Sequence, residues 1–270
     1  MKNNFVTCRL LGPSEIGGYH NFGLGNQMFQ IATAISYANE NNLTPIFPDL
    51  NNPNFGNYKE NIFKKINTKK YDENLVEYEY YEPSFIYNKI PSFKNVRIHG
   101  YFQSEKYFKS NTKLIKEVFE IEDYVKKYII EKYGEIFKNT TSCHFRFGDY
   151  KKLEGKHPIL TSTNYYKNAL DIFEDTNLLI FSDDIEACKK LQILKKPRTQ
   201  FISGEKDYVD LYMMSMCKNN IIANSTFSWW SAWLNERSDK KVVYPECWFG
   251  LDKDFSTNDL FPDEWIQIKC

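Results

Sequence analysis

Between residues 142 and 244 short apolar stretches alternate with stretches of helical period, and this alternation narrows the possible folds more than any other feature of the chain. The spacing predicts strands over 142–147, 177–181, 200–203, 220–223 and 241–244. It predicts helices over 164–173, 185–191, 208–217 and 228–235. Strands that alternate with helices in this way build a parallel, doubly wound sheet with helices on both faces. Ligands of such sheets bind where strands end and helices begin. The strand-to-helix turns are therefore the places to look for chemistry.

The first half opens the same way. Phe5 to Leu11 reads as a strand, and the Gly-rich stretch Gly17-Gly18-Tyr19-His20-Asn21-Phe22-Gly23-Leu24-Gly25-Asn26 reads as a loop. Gln27 to Asn39 places Met28, Ile31, Ala32, Ile35 and Ala38 at helical spacing. Thr44 to Pro48 and Val96 to Tyr101 read as further strands. The Tyr- and Asn-rich stretch from Asn51 to about Pro91 carries no clear period and is expected to be a loop-rich insertion. Phe108 to Lys138 carries one long helical pattern that joins the halves. The expected domains are 1–138 and 139–270, an α/β chain of two halves.

Four turns carry residues suited to chemistry. Gly23, Gly25, Asn26 and Gln27 sit between a strand and a helix, where glycines admit a ligand to the backbone and a helix start attracts polar oxygens. The spacing lacks the dinucleotide-binding fingerprint, and a tight structural turn explains the glycines equally well. In Cys143-His144-Phe145-Arg146-Phe147-Gly148-Asp149-Tyr150, alternation puts His144 and Arg146 on one strand face. Arginine offers a planar fork that fits a pyrophosphate. Asp149 is placed to orient Arg146 or to fix the turn. In Phe181-Ser182-Asp183-Asp184, Asp184 is expected to cap the next helix, which leaves Asp183 to accept hydrogen bonds from a ligand. Asn224-Ser225-Thr226 precedes Phe227-Ser228-Trp229-Trp230-Ser231-Ala232-Trp233, a run of hydroxyls at a helix start that forms an uncharged anion cradle.

Taken together and in this order, GLGNQMFQ, HxRxGDY, FSDD and NSTFSWWSAWL resemble the α-1,2-fucosyltransferases, glycosyltransferase family 11. The match runs from about residue 22 to 250, and NSTFSWWSAWL is its most specific part. The resemblance implies the GT-B architecture, two Rossmann-like halves facing across a cleft. It implies an inverting transfer of L-fucose from GDP-β-L-fucose to a glycan hydroxyl, the 2-OH of a galactoside. By position, Arg146 looks like the catalytic, pyrophosphate-binding arginine. His144 and Asp183 look like guanosine neighbours, and Asn224, Ser225 and Thr226 look like phosphate-loop residues. Asn26 is the N-terminal residue matched to the catalytic site, with Gln27 beside it. An amide is a poor base, so these two are expected to orient the acceptor. His20, His99 and the acids from Glu77 to Glu82 remain unranked as the base. The family pattern has a second arginine where this chain has Phe147, which opens a transferase for another nucleotide-activated deoxyhexose, or an inactive sugar-nucleotide binder, as alternatives.

Composition sets the remaining bounds. Lys plus Arg equals Asp plus Glu, at 35 each, so no general nucleic-acid footprint exists and phosphate recognition must be local. The expected partners are a nucleotide sugar and a glycan acceptor. No cofactor or metal is expected. Cys8, Cys143, Cys188, Cys217, Cys247 and Cys270 show no zinc-ligand spacing and read as reduced thiols of a cytoplasmic protein, at most peripheral to a membrane where glycans are assembled. No membrane-spanning window occurs.

Overall fold

The computed structural model describes residues 4–8, 10, 23–47, 50, 58–69, 71–134, 136–148, 157–250 and 255–270. The chain divides into two compact units, 1–122 with 256–262 and 123–255 with 263–270.

In the first unit, strand β1 (Phe5–Cys8) leads to helix α1 (Leu24–Asn41), followed by β2 (Thr44–Pro45), β3 (Tyr78–Tyr81), β4 (Val96–His99) and α2 (Thr112–Val118). Its parallel sheet has the order β2-β1-β4-β3. Helix α1 starts at Leu24, three residues before the predicted start, so Gly25, Asn26 and Gln27 lie in its first turns and Gly23 caps it. It ends on Asn42 in the left-handed region (φ 53°), whose N–H returns to the Ala38 carbonyl and satisfies an otherwise open acceptor. Asn42 is among the residues that tolerate that conformation.

The stretch expected to be loop carries β3. Tyr78, Glu79, Tyr80 and Tyr81 are mostly exposed and lack an apolar alternation, so periodicity misses an edge strand that aromatic propensity favours. The single long helix expected over 108–138 is instead α2 and α3 (Asp123–Tyr133). Phe119, fully buried, caps the end of α2, and the unit boundary falls at 122/123. The continuous period arises because both helices are amphipathic, and periodicity is blind to a break between them.

The second unit contains α3, β5 (Thr140–Phe145), α4 (Tyr165–Asp171), β6 (Asn177–Ser182), α5 (Ile185–Lys190), β7 (Thr199–Phe201), α6 (Asp207–Met216), β8 (Asn219–Ile221), α7 (Thr226–Leu234), β9 (Val242–Pro245) and β10 (Ile266–Ile268). All strands run parallel in the order β10-β9-β8-β5-β6-β7. The alternation read from sequence is thus the fold, with β10 added at one edge. From β5 the chain builds outward through β6 and β7, then crosses back to place β8 on the other side of β5. The junction of β5 and β8 is the topological switch point, where a crevice opens at the strand ends.

Six buried residues make β5 the centre of this sheet. Beneath it, Asn220 donates to Ser142 Oγ (2.8 Å) and to the Met214 carbonyl (2.8 Å), and its own oxygen accepts from Asn235 (2.9 Å). These bonds satisfy polar groups that burial would otherwise make costly. Trp229 and Trp230 are fully buried, and their centroids lie 5.2 Å apart. Trp265 lies 5.4 Å from Trp229, and the group locks α7 down.

The cysteines correct one expectation. Cys247 and Cys270 form a disulfide, and only Cys8, Cys143, Cys188 and Cys217 are free, all buried. A spacing of 23 residues carries no pairing signal, because the two cysteines meet only once β10 pairs with β9.

Candidate active site

The switch point gathers the second-unit motifs. β5 and β8 are in register at Cys143 and Ile221, so the turns that leave them are neighbours. The His144 and Phe227 rings, 5.5 Å apart, join the end of β5 to the first turn of α7.

Arg146 leaves the end of β5 and is one-third exposed, with its Nη1 3.0 Å from Asp183 Oδ2. The other Asp183 oxygen accepts the Phe147 N–H at 2.9 Å. A Cβ on Gly148 would stand 2.5 Å from Asp183 Oδ2, so glycine is what lets this carboxylate reach under the turn. Asp183 thus aims the guanidinium with one oxygen and holds the turn at Phe147 with the other. The reason is local: β6 is the neighbour of β5, and Phe145 is in register with Ser182. Asp149, expected as the orienting acid, lies outside the described residues. Phe147 points into the core and stacks on Phe145 at 6.3 Å. Asp184 caps α5 by accepting the Ala187 N–H at 3.0 Å, as its position predicted.

His144 is buried, and its Nδ1 has no partner among the described residues. Burial, and after it the Arg146 charge, lowers its pKa to about 3, so the ring is neutral at physiological pH. A neutral imidazole can offer either a donor or an acceptor at each nitrogen. A second orphan was not legible in sequence. Asp210, in the first turns of α6, has an Oδ1 sealed from solvent with no hydrogen-bond partner among the described residues. Burial, then the charges of Glu205 and Asp207, raises its pKa to about 7. Helix α6 follows β7, so Asp210 lies at the same carboxyl edge of the sheet, and α6 packs on α7. Only the fold reveals it, since a lone Asp on an amphipathic helix carries no motif.

Ser225 caps α7 without a side-chain bond to the helix, and Ser225, Thr226 and Phe227 are half-buried. The turn is held from behind. Ser228 Oγ accepts the Ala223 N–H (3.2 Å), and the Asn224 amide donates to the Pro158 (3.1 Å) and Trp248 (3.3 Å) carbonyls. Asn224 therefore anchors the loop, and the N-terminal turn of α7 is what it presents.

The first unit carries its own prepared turn. Asn26 Oδ1 accepts from Gln103 Nε2 at 2.9 Å, and Gln30 donates to the Gly100 carbonyl at 2.8 Å. Glu82 accepts the N–H groups of Tyr101 (2.7 Å) and Phe102 (2.9 Å), with its other oxygen on the Tyr107 hydroxyl (3.3 Å). Burial raises its pKa, but both oxygens are occupied, so Glu82 is a buckle for the turn. Phe102, at φ 52°, is held in a conformation that non-glycine residues seldom adopt. His99 pairs through Nε2 with Glu79 and is covered by the Tyr81 ring at 4.4 Å. His20 lies outside the described residues.

The family description "Glycosyl transferase family 11" matches residues 16–269. The chain belongs to glycosyl transferase family 11. It is 34% identical over 231 residues to the O-antigen biosynthesis glycosyltransferase WbnK of Escherichia coli, which covers 77% of this chain and 70% of that protein. It is 30% identical over 198 residues to an alpha-1,2-colitosyltransferase of E. coli, with 65% and 63% covered. Among solved structures, NodZ alpha-1,6-fucosyltransferase soaked with GDP-fucose aligns with TM-score 0.51 at 14% identity, over 86% of this chain and 93% of that one. A mutant FUT1 of Arabidopsis thaliana in complex with GDP aligns with TM-score 0.50 at 11% identity, over 97% and 72%. At such identities these structures speak to the fold, which is GT-B-like. This family 11 member is a glycosyltransferase of the fucosyltransferase type. None of its described helices is long and apolar enough to cross a membrane.

Proposed function

We propose that this family 11 enzyme transfers L-fucose from GDP-β-L-fucose, with inversion, to the 2-OH of a galactoside within a glycan. The observation that carries the reading is the Arg146 fork, aimed by Asp183 at the switch point beside the first turn of α7. As the acceptor oxygen attacks C1 of the sugar, the C1–O bond to GDP breaks and the diphosphate gains negative charge. Arg146 and the α7 N-terminus face that charge with a fixed cation and fixed N–H dipoles. They replace a metal in this reading. No cluster of three or more His, Cys, Asp or Glu suited to a metal occurs among the described residues. Turnover in excess EDTA should equal turnover without it, and loss of activity that Mg2+ restores would reject this part.

The nucleotide preference we infer rests on groups at the ends of β5 and β6. Guanine presents N1–H and N2–H donors side by side, which a partly exposed carboxylate at the strand ends, Asp183, can accept beside its bond to Arg146. Uracil and thymine offer one donor flanked by carbonyls, which that carboxylate repels. His144 supplies a further uncharged contact to base or ribose. Titration calorimetry with GDP, UDP and dTDP tests this: GDP should bind on the order of a hundredfold tighter or more. Equal binding of UDP would overturn the assignment. The relative named for colitosyl transfer, together with Phe147 in place of a second arginine, supports another GDP-activated deoxyhexose as the second reading. Competition between GDP-fucose and GDP-colitose for turnover separates the two.

A further inference from the structure

A cavity of about 380 Å³ lies in the second unit, between the first turns of α3 and the start of α6. Tyr124, Tyr128, Tyr208, Val125 and Val209 line it, together with the charged Glu205 and Lys206. It belongs to no part of the donor site described above. None of His144, Arg146, Asp183, Ser225 and Thr226 is among its lining residues.

Three properties define what fits there. First, the walls are aromatic faces turned outward: Tyr124 is 53% exposed and Tyr128 41%, well above what packing alone would leave on a core-facing helix. Second, of the two charged residues that line it, Glu205 and Lys206, the carboxylate is already matched. Glu205 accepts from Lys132 (2.5 Å), Tyr133 (2.6 Å) and Tyr128 (3.2 Å), and this network holds its carboxyl below the usual range. An ionic ligand would find little uncompensated charge from Glu205. Third, the volume suits one or two pyranose rings, at the lower end of small-molecule sites. Flat C–H faces of a pyranose pack on tyrosine rings, while its hydroxyls find phenol and backbone partners.

We infer that this cavity is a saccharide subsite, separate from the donor pocket, that holds a neutral sugar of a glycan chain. The inference rests on the glycosyltransferase reading for its choice of ligand but not on any identity of the donor. The fixed Glu205 network pre-orients Tyr128 and Tyr133, so binding needs little ordering of the wall.

The test is 19F NMR on the full chain labelled with fluorotyrosine, with resonances assigned by single Tyr→Phe variants. A neutral tetrasaccharide ending in β-galactose is titrated to concentrations on the order of 10 mM, with and without GDP. The Tyr124, Tyr128 and Tyr208 signals should shift together and saturably, and equally in both conditions. Tyr124→Ala, at an exposed position, should abolish the shifts of Tyr128 and Tyr208 while GDP affinity and the thermal midpoint stay unchanged. Absence of any shift, or shifts confined to other tyrosines, overturns the subsite. Because GDP binding is read in the same samples, failure of the donor reading shows up separately, as loss of the GDP response with the saccharide response intact.

Discussion

Arg146 is worth more than its single charge because Asp183 fixes where the charge points. A preorganised donor at a developing anion typically lowers the barrier by about 2.7–4 kcal/mol. Arg146→Ala should therefore cut kcat at least about a hundredfold, measured as sugar transfer under saturating donor, and near wild-type turnover would remove Arg146 from the mechanism. The two orphaned titrating groups pull stability in opposite directions. Asp210 is raised to about 7 from 3.8, so it holds its proton more tightly folded than unfolded. Its contribution is full below about 3.8 and is lost as pH rises through 7. Unfolding in denaturant across this window should show that slope in the unliganded protein and lose it in Asp210→Asn. His144, lowered to about 3, does the reverse: its contribution is full above 6.5 and is lost as pH falls toward 3. Sequence named Arg146, His144 and the Asp183–Asp184 pair because motifs hold them. It missed Asp210 because burial and the nearby acid groups, not residue type or spacing, single that residue out.

At the scale of elements, helix α7 does two jobs. Its apolar side buries Trp229, Trp230 and Trp233, and its first turn lies beside His144 at the end of β5. Ser228 couples the two, since its hydroxyl takes the N–H of Ala223 at the end of the strand turn. Ser228→Ala should leave that buried N–H unsatisfied and cost about 1–3 kcal/mol. It should also weaken GDP binding, because the same bond shapes the turn. A stability loss with unchanged GDP affinity would separate the hydroxyl from the site. The elements of the second unit were legible because each strand is a short, apolar, buried run between helical periods. The first unit was less so. Strand β3 reads Tyr-Glu-Tyr-Tyr with exposed side chains, and pairing with β4 rather than burial makes it a strand. The split of α2 from α3 escaped because two amphipathic helices in succession share a period.

For the whole molecule, the two units carry unequal chemistry. The second holds the switch point, the cation, the α7 turn and the disulfide; the first holds the Asn26–Gln103 pair and the Glu82 buckle. Ligand that binds only the folded second unit stabilises it by mass action, by about 2.7 kcal/mol at a hundredfold excess over Kd. GDP should accordingly raise the unfolding midpoint of that unit, seen by fluorescence; an unmoved midpoint at saturating GDP would place the nucleotide elsewhere. The choice of optical probe matters here. All five tryptophans of the chain, at 229, 230, 233, 248 and 265, fall in the second unit, while tyrosines are spread through both. Light absorbed and re-emitted by indole thus reports on the second unit alone, and the first unit is dark at that wavelength. A melt followed by tryptophan emission and one followed by far-ultraviolet dichroism are two different experiments on this chain, and the gap between their midpoints measures how far the halves unfold as one.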